Sequence, residues 1–218
     1  LQERHKAIAH AVQTVTEETC MRLVQNAISL TGARDLVLAG GLSLNCVANA
    51  KLLEILDDAP FLLPACGDDG TALGAALLLR ERYRHKRHPS RIAWAGSHGT
   101  SNETGSTEDH LRRQGFSFRT ADADAVAELL AQDNLVGVIQ GRYEFGPRAL
   151  GFRSILADAR NPKNWPRIND SVKFREDFRP FAPAMLPEAA RKAWPVEIPF
   201  ANSPYMLLAQ QLRESAHA

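Results

Sequence analysis

Apolar residues recur at Ile8, Val12 and Val15 and again at Cys20, Leu23, Val24, Ala27 and Ile28. This is the i, i+3, i+4 rhythm of one long amphipathic helix running from Arg4 to about Leu30, ended by Thr31-Gly32. The period then changes. Asp35-Leu36-Val37-Leu38-Ala39 is a short apolar run stopped by Gly40-Gly41 and predicts a buried strand, with Ser43 as N-cap of a helix through Ala48, Ala50, Leu52, Leu53 and Ile55. Phe61-Leu62-Leu63 repeats the strand signal. A helix of small residues follows from Thr71 to about Arg82, where Ala72, Gly74, Ala75 and Ala76 predict close packing on the preceding sheet.

Helical periodicity lapses between about residues 86 and 107, first in a basic stretch and then in one rich in Gly, Ser, Thr and Asn, which predicts a domain boundary or a long surface connection. Beyond it the pattern predicts helices over 107–114 and 122–132, an extended piece over 116–118 and a buried strand over 135–140. A further strand over 154–157 and a helix over 162–172, capped by Asn161, complete a small α/β unit. Pro180, Pro183, Pro187, Pro195, Pro199 and Pro204 mark a loop-rich remainder that ends in the strand-like Tyr205-Met206-Leu207-Leu208.

With 218 residues, 44% of them apolar, the chain has material for one large domain or two small ones. Its formal charge of +1 argues against a general nucleic-acid or membrane binder, since such partners call for a broad basic excess. No apolar run approaches the roughly 20 residues of a transmembrane helix, and the expected location is cytoplasmic. Cys20, Cys46 and Cys66 lack metal-ligand spacing and are expected as buried thiols of a cytoplasmic protein. His5 and His10 lie roughly 140° apart on a helix, so a solvated or capping role is expected rather than a shared metal. The opening inside a helical pattern, without Met, predicts a piece of a longer protein.

Directed positive charge is concentrated in Gly141-Arg142-Tyr143-Glu144-Phe145-Gly146-Pro147-Arg148-Ala149-Leu150-Gly151-Phe152-Arg153, with a second basic run at Lys173-Phe174-Arg175. Glycines let backbone N–H groups close on a ligand and arginine forks bind phosphate or carboxylate, so the pattern predicts a site for a small anion. The strand–glycine–helix junction at Gly40-Gly41 can present N–H groups to an anion or nucleotide, with Asn45 placed to hydrogen-bond it. The plainer alternative is a passage from strand to helix. Asp68 and Asp69 are either a metal- or hydroxyl-binding pair or an N-cap and its solvated neighbour; Asp69 could cap alone, which leaves Asp68 the more informative.

At Gly40-Gly41-Leu42-Ser43-Leu44-Asn45, Pro64-Ala65-Cys66-Gly67-Asp68-Asp69-Gly70-Thr71-Ala72-Leu73-Gly74-Ala75-Ala76, Glu144-Phe145-Gly146-Pro147-Arg148-Ala149-Leu150-Gly151 and Lys173-Phe174-Arg175-Glu176-Asp177-Phe178-Arg179-Pro180-Phe181-Ala182-Pro183, the sequence resembles the ATP-dependent O-carbamoyltransferase family. Members include the nodulation-factor, cephamycin and tobramycin carbamoyltransferases. The likeness runs over nearly the whole chain. It implies an α/β fold in which the rear part of an actin/sugar-kinase-like (ASKHA) domain, similar to the universal tRNA threonylcarbamoylation protein, occupies residues 1–95. A linker at 96–106 and the front part of a YrdC-like α/β domain at 107–218 follow.

The resemblance further implies two steps. Carbamoyl phosphate and ATP give carbamoyl adenylate in the second domain, where Arg142, Arg148, Arg153, Lys173 and Arg175 neutralise phosphate charge; Arg148, Lys173 and Arg175 are the expected catalytic residues. The carbamoyl group then passes to a sugar hydroxyl in the first domain, where Gly40, Gly41 and Asn45 form the nucleotide-side loop and Asp68 binds a divalent metal, iron or magnesium. The family's metal-binding histidines, separated by three residues, are expected upstream, and the Ser-x-Asn element that closes its adenylate pocket is expected downstream of residue 218; neither is matched here. The chain is therefore expected to be an internal fragment, inactive by itself. A nodulation lipo-chitooligosaccharide is the favoured acceptor ahead of an antibiotic, and oligomeric state is open, with a homodimer as one candidate. The competing readings are a tRNA threonylcarbamoylation or hydrogenase-maturation type of carbamoyl enzyme, and a non-catalytic nucleotide-binding or interaction module whose arginines only brace a loop.

Overall fold

A computed structural model describes residues 2–82, 107–193 and 203–209; the expected linker at 96–106 and most of the basic stretch before it lie outside the described residues. The chain is mixed α/β and divides into two compact units. The first comprises Leu1–Ala93, Phe145–Arg148 and Met185–Ala218, the second Trp94–Glu144 and Ala149–Ala184. Two stretches beyond residue 107 thus go with the first unit.

In the first unit α1 (Glu3–Thr31) forms over the predicted span and closes on Gly32, whose left-handed backbone (φ 70°) lets its N–H donate to the Ile28 carbonyl. At the other end the Gln2 N–H donates to His5 Nδ1 at 3.4 Å, giving that histidine a capping role. Only the second half of the apolar stripe is covered. Val24, with Cys20, Met21 and Ile28 beside it, packs on Leu52 and Leu56, whereas Ile8, Val12 and Val15 are exposed. The covering element is short: α2 (Cys46–Lys51) and a 3-10 turn, Leu52–Glu54, cannot reach the length of α1.

β1 (Val37–Leu38) pairs in parallel with β2 (Phe61–Leu62), Val37 opposite Phe61 and Leu38 opposite Leu62. Both are shorter than the apolar runs predict. Val37 and Phe61 face solvent while Leu38 touches both apolar clusters of the unit, one around Val24, Leu52 and Leu56, the other around Leu62, Cys66 and Leu207. Ser43 is not the expected N-cap. A 3-10 turn, Gly41–Leu44, intervenes and moves the cap to Asn45, whose Oδ1 accepts the Ala48 N–H at 3.1 Å, while Ser43 is buried.

α3 (Gly70–Arg82) forms as predicted, but Ala72, Gly74, Ala75 and Ala76 are exposed, so its small-residue face does not pack on the sheet. A two-stranded sheet is too narrow to cover that helix. Residues 205–208 form no strand. They lie on α2 instead: Leu207 is buried, its carbonyl accepts from Asn49 Nδ2 at 2.9 Å, and the Ala209 N–H donates to the Cys46 carbonyl at 3.0 Å. The same Asn49 amide donates to the Ser43 carbonyl at 2.8 Å. Cys66 is buried, Cys20 and Cys46 are partly so, and all three are free thiols.

The second unit holds α4 (Thr107–Arg113) and α5 (Ala123–Ala131), the latter capped by Asp122 on the Ala125 N–H at 2.9 Å. No strand forms over residues 116–118. β3 (Val136–Ile139) pairs antiparallel with β4 (Arg153–Leu156), Ile139 opposite Arg153. Where one helix was predicted over 162–172, α6 (Asn164–Ile168) passes into a π-helical turn, Asn169–Lys173. α7 (Pro187–Ala193) returns the chain to the first unit. Among the described residues no helix is long and apolar enough to cross a membrane.

Replacing Asn49 by Ala strips two buried carbonyls of their donor, and an unsatisfied buried polar group costs about 1–3 kcal/mol. Asn49→Ala is expected to lower the stability of the first unit by about that amount, read by urea titration, and to speed protease cleavage within residues 203–209.

Candidate functional site

The loop between β3 and β4 carries the glycine–arginine motif, and its shape follows from one carboxylate. Gln140 closes the neck, its N–H donating to the Phe152 carbonyl at 2.9 Å and its Nε2 to the Gly151 carbonyl at 2.8 Å. Beside it Gly141 (φ 60°) lies against the Phe152 ring, where a Cβ would fall 2.6 Å from a ring carbon, so no other residue fits without displacing that ring. The Glu144 side chain is 0% exposed. Its Oε1 accepts the N–H groups of Leu150 (3.0 Å), Phe152 (2.9 Å) and Arg153 (3.1 Å), and its Oε2 accepts Arg153 Nε at 3.1 Å. Burial alone pushes this carboxyl up, but the backbone N–H groups, its own included, and the Arg153 guanidinium outweigh it and bring it down to about 2.

Arg153 is therefore engaged with Glu144, and its guanidinium also lies 4.8 Å from the Tyr143 ring centre. Arg142 sits exposed at the start of the same loop.

The second basic run is built on Asn169, which is 0% exposed. Its Nδ2 donates to the carbonyls of Asp177 (3.2 Å) and Arg179 (3.1 Å), and its Oδ1 accepts Arg175 Nε at 2.7 Å. The Arg175 guanidinium also sits 4.8 Å from the Phe181 ring centre, and Phe181 meets Trp165 edge-on at 6.3 Å. Arg175 is thus held in one orientation. Between it and the exposed Lys173 stands Phe174, whose backbone is left-handed (φ 47°) and whose side chain is exposed. Such a backbone is unusual for an aromatic residue, and together with the π-helical turn it marks a segment shaped for something other than helix stability.

The remaining expected site residues lie in the first unit. Gly40 (φ 100°) donates its N–H to the Cys66 carbonyl at 2.7 Å, and Gly41 opens the 3-10 turn. Asn45 caps α2 and exchanges amide hydrogen bonds with Gln13 at 3.0 and 3.3 Å, which leaves it one amide N–H for a ligand. Asp68 has an exposed side chain, and its carbonyl accepts the Thr71 hydroxyl at 2.6 Å.

Among the described residues no group of three or more His, Cys, Asp or Glu could hold a metal; Asp68 is the one expected metal ligand in the chain. Arg148 also belongs to this unit: its Nη2 donates to the Leu44 carbonyl at 3.2 Å, and its Nε is buried with no hydrogen-bond partner. Next to it Gly146 (φ 123°) approaches so closely that a Cβ would lie 2.5 Å from the Pro64 carbonyl oxygen. Burial pushes the Cys66 thiol up, against the opposing pull of the Arg148 charge.

The structure therefore brings Lys173 and Arg175 together at one turn, and sets Arg142 at the start of the β3–β4 loop and Arg153 at its end, on the first residue of β4, all in the second unit. Gly40, Gly41, Asn45, Asp68 and Arg148 are in the first. Glu144 and Asn169, which orient Arg153 and Arg175, were not among the expected site residues; the signal for Glu144 was an acid alone among glycines and arginines, and for Asn169 an amide inside a helical run.

Residues 1–77 match the family model of the carbamoyltransferase N-terminus and residues 127–218 that of the carbamoyltransferase C-terminus. Nodulation protein NolNO of Sinorhizobium fredii is 36% identical over 98% of this chain and 32% of its own length. The 3'-hydroxymethylcephem-O-carbamoyltransferase of Streptomyces clavuligerus is 32% identical over 83% of this chain and 33% of its own length. An uncharacterised protein of Synechocystis is 40% identical over 98% of this chain and 36% of its own. The chain thus spans about a third of the length of these relatives.

The Glu144 value lies below the roughly 4.3 of an unfolded glutamate. The stabilisation from its ionised form is complete above about pH 5 and is lost as pH falls through about 2. Glu144→Gln is expected to cost about 2–3 kcal/mol at neutral pH, as hydrogen bonds to a charged group are lost. The variant should also lose much of the fall in urea midpoint between pH 5 and pH 2, measured by fluorescence.

Proposed function

Because the chain belongs to the carbamoyltransferase family, matching both its N-terminal and its C-terminal parts, we propose that it serves an ATP-dependent O-carbamoyltransferase acting on a sugar hydroxyl. In this reading residues 1–95 are the rear of an actin/sugar-kinase-like domain, residues 107–218 are the front of a YrdC-like domain, and the enzyme works in the cytoplasm, where ATP is made and used. Carbamoyl phosphate loses its phosphate to water, the resulting carbamate oxygen attacks the α-phosphorus of ATP, and pyrophosphate departs to leave carbamoyl adenylate. A hydroxyl oxygen of the acceptor then attacks the carbamoyl carbon, and AMP departs. A nodulation lipo-chitooligosaccharide is the acceptor we favour, in keeping with the nodulation relatives; the cephem carbamoyltransferase keeps an antibiotic as the second choice.

The observation that carries the first step is the turn holding Lys173 and Arg175. Phosphoryl transfer asks the protein mainly for position and compensating charge. A guanidinium fixed by Asn169 Oδ1 and the Phe181 ring does not reorganise when charge develops on the phosphates. Lys173 adds a mobile cation on the same turn, where its exposed ammonium can follow the departing pyrophosphate.

The test is carbamoyl-phosphate-dependent exchange of labelled pyrophosphate into ATP by a protein extended at both ends to the length of the relatives, with the 218-residue chain alone, expected inactive, beside it. Exchange by the extended protein is expected, and Arg175→Ala should reduce it by about 10²–10³, the usual cost of removing one donor from a developing charge. A folded extended wild type without exchange would sink the adenylate route.

A further inference from the structure

We propose that residues 203–209 are a clasp: a stretch of the C-terminal family part that docks in the first unit and makes the shape of the Gly41–Leu44 turn depend on its being docked. The turn lies within residues 1–77, matched to the N-terminal part, and the clasp within 127–218, matched to the C-terminal part, yet both belong to the first unit. The clasp is made of packing and hydrogen bonds alone and holds whether or not the adenylate route does.

The turn does not secure its own exit. Inside it Ser43 donates its N–H to the Gly40 carbonyl at 3.0 Å and Asn45 to the Leu42 carbonyl at 2.9 Å, the short-range bonds of a 3-10 turn. The carbonyls that follow are met from elsewhere: Ser43 by Asn49 Nδ2 at 2.8 Å, Leu44 by Arg148 Nη2 at 3.2 Å, and Cys46 by the Ala209 N–H at 3.0 Å. Two of these three donors, Arg148 and Ala209, come from the C-terminal part.

Asn49 carries the coupling. It is buried, and its amide nitrogen also donates to the Leu207 carbonyl at 2.9 Å. An amide is planar and its two N–H bonds diverge at a fixed angle, so the Ser43 and Leu207 carbonyls are set at two ends of one rigid group. If the clasp leaves, a buried N–H is stranded; the amide gains by turning toward water, and Ser43 is released. The apolar side works in the same sense. Leu207 fills a cluster with Leu62 and Cys66, on which Leu44 of the turn packs, and the Cys66 carbonyl accepts the Gly40 N–H at 2.7 Å. Withdrawing Leu207 therefore loosens both ends of the turn, Gly40 through Cys66 and Leu44 directly.

The clasp is built to let go before the rest of the unit. Met206 has a left-handed backbone (φ 56°), unfavourable for a residue with a long side chain. The Ser203 hydroxyl is buried with no hydrogen-bond partner among the described residues. α1, by contrast, packs Val24 on Leu52 and Leu56, a cluster that Leu207 does not join. Local opening begins where contacts are fewest, so 203–209 releases while α1 stays formed. Any group that binds at the turn then meets a formed surface only while the C-terminal part is seated, which ties the two family parts together.

Hydrogen exchange read by mass spectrometry decides the matter, in the protein extended at both ends to the length of the relatives. In Leu207→Ala the amides of Ser43 and Asn45 are expected to exchange at least about tenfold faster, together with those of 203–209, while α1 and the β3–β4 pair keep wild-type protection. A clasp that loosens with no change at Ser43 and Asn45 overturns the coupling, and a clasp that does not loosen overturns the docking.

Should Leu207→Ala also strip α1 of protection, Ala209→Pro removes a single N–H and leaves the apolar cluster whole. It is expected to speed exchange at Ser43 and Asn45 about threefold with α1 still protected. Unchanged exchange there, or loss of α1 protection in this variant too, overturns the proposal.

Discussion

One buried carboxylate gathers three backbone N–H groups and a guanidinium, and the loop between β3 and β4 takes its shape from that convergence. Glu144 supplies, from inside the protein, the anion that such a nest of donors would otherwise draw from solution. Without it, the amides of Leu150, Phe152 and Arg153 would be partly buried beside an uncompensated cation. An ion pair between exposed chains contributes little; here one partner is fully enclosed and all its hydrogen bonds are made, so geometry follows from chemistry. The arginines of the motif then divide by task, Arg153 turned inward to hold the loop and Arg148 left with an unfilled donor.

Among the described residues neither unit has a large apolar core to do this work. Each holds a two-stranded sheet, and a pair of strands is marginal as a platform. Buried amides do what packing does in wider sheets. Asn49 spans the Ser43 and Leu207 carbonyls, and Asn169 spans those of Asp177 and Arg179 while accepting from Arg175. A hydrogen bond is directional where dispersion is not, so two amides fix the course of irregular chain that a few leucines would leave adjustable.

Periodic features were legible in the sequence and convergent ones were not. α1 announced itself by its apolar stripe and the Thr31-Gly32 stop, and its span matches to within a residue or two. The paired strands of the first unit were visible as short apolar runs, although only two rungs form in each. The cap moved from Ser43 to Asn45 because a 3-10 turn can replace the start of an α-helix without altering the apolar pattern. The small-residue face of α3 suggested packing that the narrow sheet does not provide. At the candidate site the basic residues were easy to see and their allegiance was not. That Arg153 turns to Glu144, or that Arg175 leans on Asn169, depends on side chains that meet through turns with no repeating signal. The switch to π geometry at Asn169 is equally silent in the apolar spacing.

The hydrogen bond from Asn49 to Leu207 crosses 158 residues of chain. At ribosomal speeds of about 5–20 residues per second, the two ends emerge on the order of ten seconds apart. During that interval Leu62 and Cys66, which Leu207 joins in one apolar cluster, must wait with their surface open to water. The unit whose sequence comes first is therefore finished last. Its early helix can form in microseconds, but its cluster cannot close until the intervening chain has been made.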